Sequence, residues 1–298
     1  MPLPEIEPIG IPVAGGELGA VRFGGKGSDR PVALAVHGIT GTSRSWGPVA
    51  RALGDRATLV AIDLRGRGAS RSLPPPYGLG VHVDDLLTVL GALGIDRPLL
   101  IGHSLGAYIV ARFAAEHPGR ARALLLIDGG LPIPGSRGSD PQEYADQQLG
   151  PALARFAMTF PDHDAYRTWW RGHPSFSGGQ VADEDIAFIA DYELIGEPPE
   201  LRPVIEPEAV RADGRDLISA GNDAERLTIT TTLLCAPRSL LNDPANPMQP
   251  FEAAEAWAQA DPGRREARLI PDVNHYTIVL GAPGAATVAD RIAALAAG

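Results

Sequence analysis

The stretch Pro98-Leu-Leu-Ile-Gly102-His-Ser104-Leu-Gly106-Ala-Tyr-Ile-Val-Ala-Arg-Phe-Ala-Ala-Glu-His117 decides how the chain is read. Its first four residues make a short apolar run, as in a strand buried on both faces of a parallel sheet. From Leu105 onward apolar residues recur three and four apart. That spacing predicts a helix to His117, and Pro118-Gly119 supplies a stop. Between the two lies G-x-S-x-G. A serine on so tight a strand-to-helix turn needs small neighbours two residues away, and Gly102 and Gly106 meet that need. The following helix aims free N–H groups and its positive end at an anion forming beside Ser104. The bare motif also occurs in ordinary turns; the strand–turn–helix setting makes Ser104 a candidate nucleophile.

Outward from this turn the pattern repeats. Buried-strand runs occur at Pro31–His37, Ala57–Leu64, Ala121–Ile127 and Thr230–Cys235, and a last strand is predicted at Ala267–Ile270. Glu17–Phe23 alternates weakly and reads as one arm of an early hairpin. Helical spacing covers Val81–Leu93, Phe251–Ala260 and Ala285–Ala297. Strands alternating with helices imply an α/β fold with a mostly parallel central sheet flanked by helices. Between Leu131 and Arg226 the rhythm breaks. Helical patterns such as Asp183–Leu194 follow one another without buried-strand runs. The reading is a core of residues 1–130 and 227–298 carrying a helical cap insertion at 131–226.

A serine hydroxyl is a weak nucleophile until a base takes its proton, and histidine titrates in the right range. Of seven histidines, His275 alone sits late, after the last predicted strand, in the loop Pro271-Asp-Val-Asn-His275-Tyr. His37 and His103 adjoin the strand exits and read as structural. An acyl-transfer site also needs two N–H donors for the anionic oxygen. Leu105 offers one, and Ile39, in His37-Gly38-Ile39-Thr40-Gly41, offers the other. Trp46, Tyr108, Trp169, Trp170 and Tyr276 are candidate pocket residues, with plain packing an equal alternative for each.

With V-H-G at residue 37, D-L-R-G-R-G-A-S at Asp63–Ser70, G-H-S-L-G at 102–106 and a late N-H, the chain resembles the α/β-hydrolase superfamily over nearly its whole length. The resemblance implies an eight-stranded type of sheet, a cap domain where the insertion lies and a Ser–His–acid triad in that sequence order. It also implies a structural role for the Asp63–Ser70 loop. In most members the acid follows the strand after the cap, in a G-x-x-D type loop. Here Ala236 replaces that glycine, Ser239 stands at the acid position, and Asp243 comes four residues later. The alternative is Asp128, at the end of the strand before the cap, as in thioesterase domains of polyketide and nonribosomal peptide synthases. Asp128 is favoured and Asp243 kept as alternative; Asp272 lies only three residues before His275. The implied activity is hydrolysis of an ester, lactone or thioester through an acyl-enzyme. Alternatives on the same fold are C–C bond hydrolysis, perhydrolysis, acyl transfer, or a receptor that only binds. Serine at the elbow argues against haloalkane dehalogenase and epoxide hydrolase chemistry, whose members use aspartate there.

Bulk properties narrow the partners. The 298 residues suit one large domain or one domain with an insertion, and 44% hydrophobic with 21% charged residues is near the globular average. A net charge of −10 without basic runs argues against nucleic acid. The single Cys235 excludes an internal disulfide and a multi-thiolate metal site. The N-terminus lacks a signal-peptide pattern, and no window approaches the ~18 apolar residues of a membrane span. The expectation is a cytoplasmic protein acting on a small acyl substrate without cofactor or metal. The sequence carries no signal of oligomeric state.

Overall fold

The computed structural model describes residues 5–24, 30–134, 140, 143, 150 and 153–297. Much of the start of the predicted insertion (135–139, 141–142, 144–149 and 151–152) and residues 1–4 therefore lie outside the described residues.

Eight strands form one sheet in the order β1-β2-β4-β3-β5-β6-β9-β10. They are β1 Ile6–Val13, β2 Gly16–Phe23, β3 Val32–Val36, β4 Thr58–Ile62, β5 Leu99–His103, β6 Ala123–Ile127, β9 Thr230–Cys235 and β10 Arg265–Leu269. The pairs β1–β2 and β2–β4 are antiparallel, and the other five are parallel. The central strands read as continuous apolar runs because both faces are covered. In β3, Ala33 and Ala35 join one cluster, with Trp46 and the helix Ala282–Ala297. Leu34 and Val36 join the other, with the helices Leu79–Ala92 and Leu105–Glu116.

Two edge strands depart from the sequence reading. The predicted hairpin arm pairs with Ile6–Val13, a strand whose Pro8 and Pro12 hide it; proline is tolerated there because β1 is an edge. At the opposite edge β10 starts at Arg265, earlier than predicted, since its half-exposed Arg265 and Glu266 break the apolar pattern. Between β6 and β9 stand the helices His163–Arg171, Asp183–Ala190 and Pro207–Ser219 and a two-stranded ribbon of β7 Leu194–Ile195 and β8 Arg202–Pro203. They meet the sheet-end loops: Gly68 N–H donates to Val204 O (3.1 Å), and Glu206 N–H to Gly66 O (2.7 Å). No helix among the described residues is long and apolar enough to cross a membrane.

The strand order reverses at β3, with β4 on one side and β5 on the other. In open parallel sheets the crevice beyond the carboxyl ends at such a point is where ligands bind. The loop after β3 and the turn after β5, which hold Ile39 and Ser104, flank that crevice.

Candidate active site

Ser104 follows β5 and caps the helix Leu105–Glu116 with φ 53° and ψ −121°. That is left-handed backbone, which costs a non-glycine residue free energy and persists only where the surroundings enforce it. A Cβ on Gly102 would lie 2.2 Å from the Gly106 carbonyl carbon, and one on Gly106 would lie 2.1 Å from Val36 O. Only glycine fits either position. Leu105 opens the helix, so its N–H has no acceptor one turn back. A Cβ on Gly38 would be 3.1 Å from Ser104 Cβ, so the loop carrying Ile39 runs directly against the serine.

That loop is fixed from behind. His37 donates from Nδ1 to Gly38 O (2.7 Å), and its Nε2 accepts from Leu64 N–H (3.0 Å). Burial drives its pKa down to about 3, so the ring is neutral. Arg67, fully buried, donates to Ile39 O from Nε (3.2 Å) and Nη2 (3.0 Å). Its Nη1 lies 2.6 Å from Asp213 on the helix Pro207–Ser219, as an ion pair off the hydrogen-bonding direction. The Asp63–Ser70 loop thus ties the loop carrying Ile39 to the helix Pro207–Ser219. Asp63 itself accepts from Ser43 N–H (2.6 Å) and Ala69 N–H (3.0 Å), a structural arrangement.

His275 follows β10. Its Nδ1 lies 2.7 Å from Asp128 Oδ2, and both residues are buried. With Nδ1–H donating to the carboxylate, Nε2 is left with its lone pair. Asp128 is itself strained, at φ 46°. Its N–H donates to Leu234 O (2.7 Å), and its Oδ1 accepts from Ala236 N–H (3.0 Å). The end of β9 therefore aims the carboxylate that ends β6. Next in sequence, Gly129 lets the chain pass the serine, since a Cβ there would lie 2.6 Å from Ser104 O. His103 holds the other side of His275, donating from Nε2 to His275 O (2.8 Å). Burial and the adjacent His275 push its pKa well down, so it too is neutral.

Asp243 does not reach His275. It caps its own turn, accepting from Ala245 N–H (2.8 Å) and Asn246 Nδ2 (2.7 Å), and those bonds lower its pKa. Asp272 points outward, 3.8 Å from Arg238. Cys235 is buried, and burial raises its thiol pKa, which keeps it protonated.

Ser104, His275 and Ile39 open onto a cavity of about 800 Å³, lined on the cap side by Trp169, Trp170 and His173 and by Tyr276 from the core. Trp46, read as a pocket candidate, is only 1% exposed and packs in the core beneath, outside that lining. Tyr108 is likewise a core residue, its hydroxyl donating to Leu131 O (2.7 Å). Arg155 lines the cavity and escapes sequence reasoning; a lone arginine in an insertion has no motif. Asn274 was legible only as the neighbour of His275. Its Oδ1 accepts from Tyr276 and Thr277 N–H (3.0 and 2.9 Å), and its Nδ2 donates to Ser175 O (2.8 Å), tying the histidine loop to the cap. No group of three or more metal-ligating side chains occurs among the described residues.

Comparison with known proteins agrees with this architecture. A family model described as the alpha/beta hydrolase fold matches residues 31–169. The N-formylmaleamate deformylase of Pseudomonas putida is 32% identical over 210 residues, covering 67% of this chain and 69% of that protein. The crystal structure of E-2-(acetamidomethylene)succinate hydrolase superposes with a TM-score of 0.81 at 22% identity, covering 99% of this chain and 100% of that one. The thioesterase domain from the curacin biosynthetic pathway gives 0.72 at 21% identity, covering 97% and 99%. The named relatives are hydrolases, and the chain described here belongs to the α/β-hydrolase fold family.

Proposed function

We propose that the protein is a serine hydrolase that cleaves an acyl bond of a small molecule through an acyl-enzyme on Ser104. The observation that carries this reading is the 2.7 Å contact of His275 with Asp128 on the cavity that holds the strained Ser104.

In this scheme His275 Nε2 takes the Ser104 hydroxyl proton as Oγ bonds to the substrate carbonyl carbon. The carbonyl electron pair moves onto oxygen, where the Ile39 and Leu105 N–H groups meet it. Asp128 stabilises the imidazolium without taking its proton. Collapse of the tetrahedral species breaks the bond to the alcohol, thiol or amine, which leaves with the proton from His275. Water, deprotonated by the same nitrogen, then attacks the acyl carbon and frees Ser104 and the carboxylic acid. Esters, lactones and thioesters suit this path. The kinship with a deformylase adds acyl C–N bonds to the substrate classes.

Fluorophosphonate labelling tests the reading. One adduct is expected, on the peptide carrying Ser104, and Ser104→Ala is expected to lose both label and hydrolysis of p-nitrophenyl esters. Undiminished labelling of that variant at another serine would sink the assignment.

A further inference from the structure

Among the described residues the cavity lining is largely apolar, with one carboxylate, Asp243, and one permanent cation. Arg155 faces it from the cap and is 3% exposed. Its guanidinium lies over the Trp170 ring at 4.7 Å, with Phe156 and Trp169 rings at 4.9 and 5.5 Å, so its position is set by cation–π packing. Nη2 donates to Thr40 O at 3.3 Å. Thr40 follows Ile39, so the cation sits against the loop proposed to hold the oxyanion.

A guanidinium has five N–H donors, and burying them unmatched is costly. Nε and Nη1 are buried without a hydrogen-bond partner among the described residues. Glu193 is the nearest anion, 3.7 Å from Nη1, beyond hydrogen-bond range. Its Oε2 already accepts from Tyr166 OH (2.7 Å) and Trp170 Nε1 (3.2 Å). Those neutral donors satisfy the glutamate and leave the arginine fork underused. Arginine's planar fork suits a carboxylate, which takes two parallel N–H bonds. Burial among aromatic rings strengthens such a bond by excluding water.

We propose that Arg155 is a carboxylate-binding group and that the acyl compound processed at Ser104 carries a carboxylate held under the cap. The second half of this proposal rests on the serine-hydrolase reading; the first half does not. The apolar wall then contacts the carbon skeleton, while the charge fixes which end of the substrate reaches the serine.

Succinate and its neutral isostere succinamide are the probes, titrated into the full chain by calorimetry. Succinate is expected to bind at least tenfold more tightly. That preference should vanish in the double variant Arg155→Met with Glu193→Gln, which removes both charges together so that no lone buried carboxylate remains. Equal binding of the two probes to the unmodified protein overturns the proposal, and that comparison needs no variant. Undiminished preference in the folded double variant overturns it equally. Hydrolysis gives the second readout. The ratio of kcat/KM for p-nitrophenyl hemisuccinate over p-nitrophenyl butyrate should fall about 100-fold in the double variant. A merely structural arginine would lower both rates and leave the ratio in place, which also counts against the proposal. Succinate preference without Ser104 labelling would keep the arginine site and reject the hydrolase reading. Labelling without the preference would do the reverse.

Discussion

Two buried histidine–aspartate pairs in this molecule have the same contact and opposite surroundings. His275 meets Asp128 at 2.7 Å, and His82 meets Asp213 at 3.0 Å. All four residues are nearly or fully buried. The second oxygen of Asp128 takes only a neutral backbone N–H, from Ala236, and His275 opens onto the cavity. The second oxygen of Asp213 faces the Arg67 guanidinium, and His82 Nδ1 is buried without a partner among the described residues. Burial alone would raise the Asp213 pKa, but His82 and Arg67 outweigh it and the net shift is downward. A carboxylate beside a guanidinium has part of its field at a neighbouring ring offset by that cation. One whose other partner is a neutral amide keeps its field for the ring. The contact itself is therefore no mark of catalysis; the proposed role of His275 and Asp128 rests on charge balance and access to the cavity.

Replacing each aspartate by asparagine puts that distinction at risk. In Asp128→Asn the amide oxygen can keep the Ala236 N–H, which turns the NH₂ toward His275. The ring then accepts at Nδ1 and carries its proton at Nε2, where it cannot act as a base. We expect kcat/KM on a p-nitrophenyl ester to fall about 10³–10⁴-fold, with the thermal midpoint little changed. Asp213→Asn should show the reverse. It leaves Arg67 charged and unpaired in the interior, a loss of about 3–5 kcal/mol in urea unfolding, while kcat/KM of the folded protein falls less than about tenfold. Equal losses of activity in the two variants would erase the difference between the pairs.

The same contrast explains what the sequence reveals. Gly102, Ser104 and Gly106 are legible because the turn that needs them is local, and the parallel sheet is legible because burial on both faces leaves unbroken apolar runs. Asp128 is half legible: an aspartate at a strand end is visible, but Asp243 has the same side chain near a strand end too. Only the loop geometry separates them, by turning Asp243 onto Ala245 and Asn246. The Arg67–Asp213 pair joins residues 146 positions apart by number, and Arg155 meets Thr40 across the cap. Such pairings depend on how the insertion folds back, and no periodicity or spacing encodes that. Trp46 shows the opposite error, an aromatic near the site whose side chain fills the core.

His37 supplies a third case, a buried histidine with no carboxylate in hydrogen-bond contact. Its native pKa, about 3 because of burial, lies below the ordinary 6.5. Between those values the unfolded chain binds a proton that the native protein refuses, so stability is lost as pH falls from about 6.5 toward 3. From pH 6 to pH 5 the unfolded histidine is mostly protonated, and one proton contributes about 1 kcal/mol over that unit. His37→Gln, which keeps one donor and one acceptor, should reduce the drop in unfolding free energy across that unit by this amount. Buried acids such as Glu193 titrate in both proteins and cancel in the difference. An unchanged pH slope in the variant would mean that His37 is charged in the native state.

The smallest effect belongs to the other aspartate near the cavity. Asp243 lines the cavity, with both oxygens engaged by its own turn and a pKa lowered by those bonds. It is the residue that a family-based reading of the strand after the cap would choose as the acid. Asparagine keeps the oxygen that accepts from Ala245 N–H and loses only the charge. If Asp128 orients His275, Asp243→Asn should change kcat/KM by no more than about twofold, the usual range for a surface substitution. A substantial loss there, beside an active Asp128→Asn variant, would transfer the acid to the later strand and require the 239–246 turn to rearrange when substrate binds. The two variants assayed side by side therefore discriminate a fixed His275–Asp128 geometry from one that forms only in the complex.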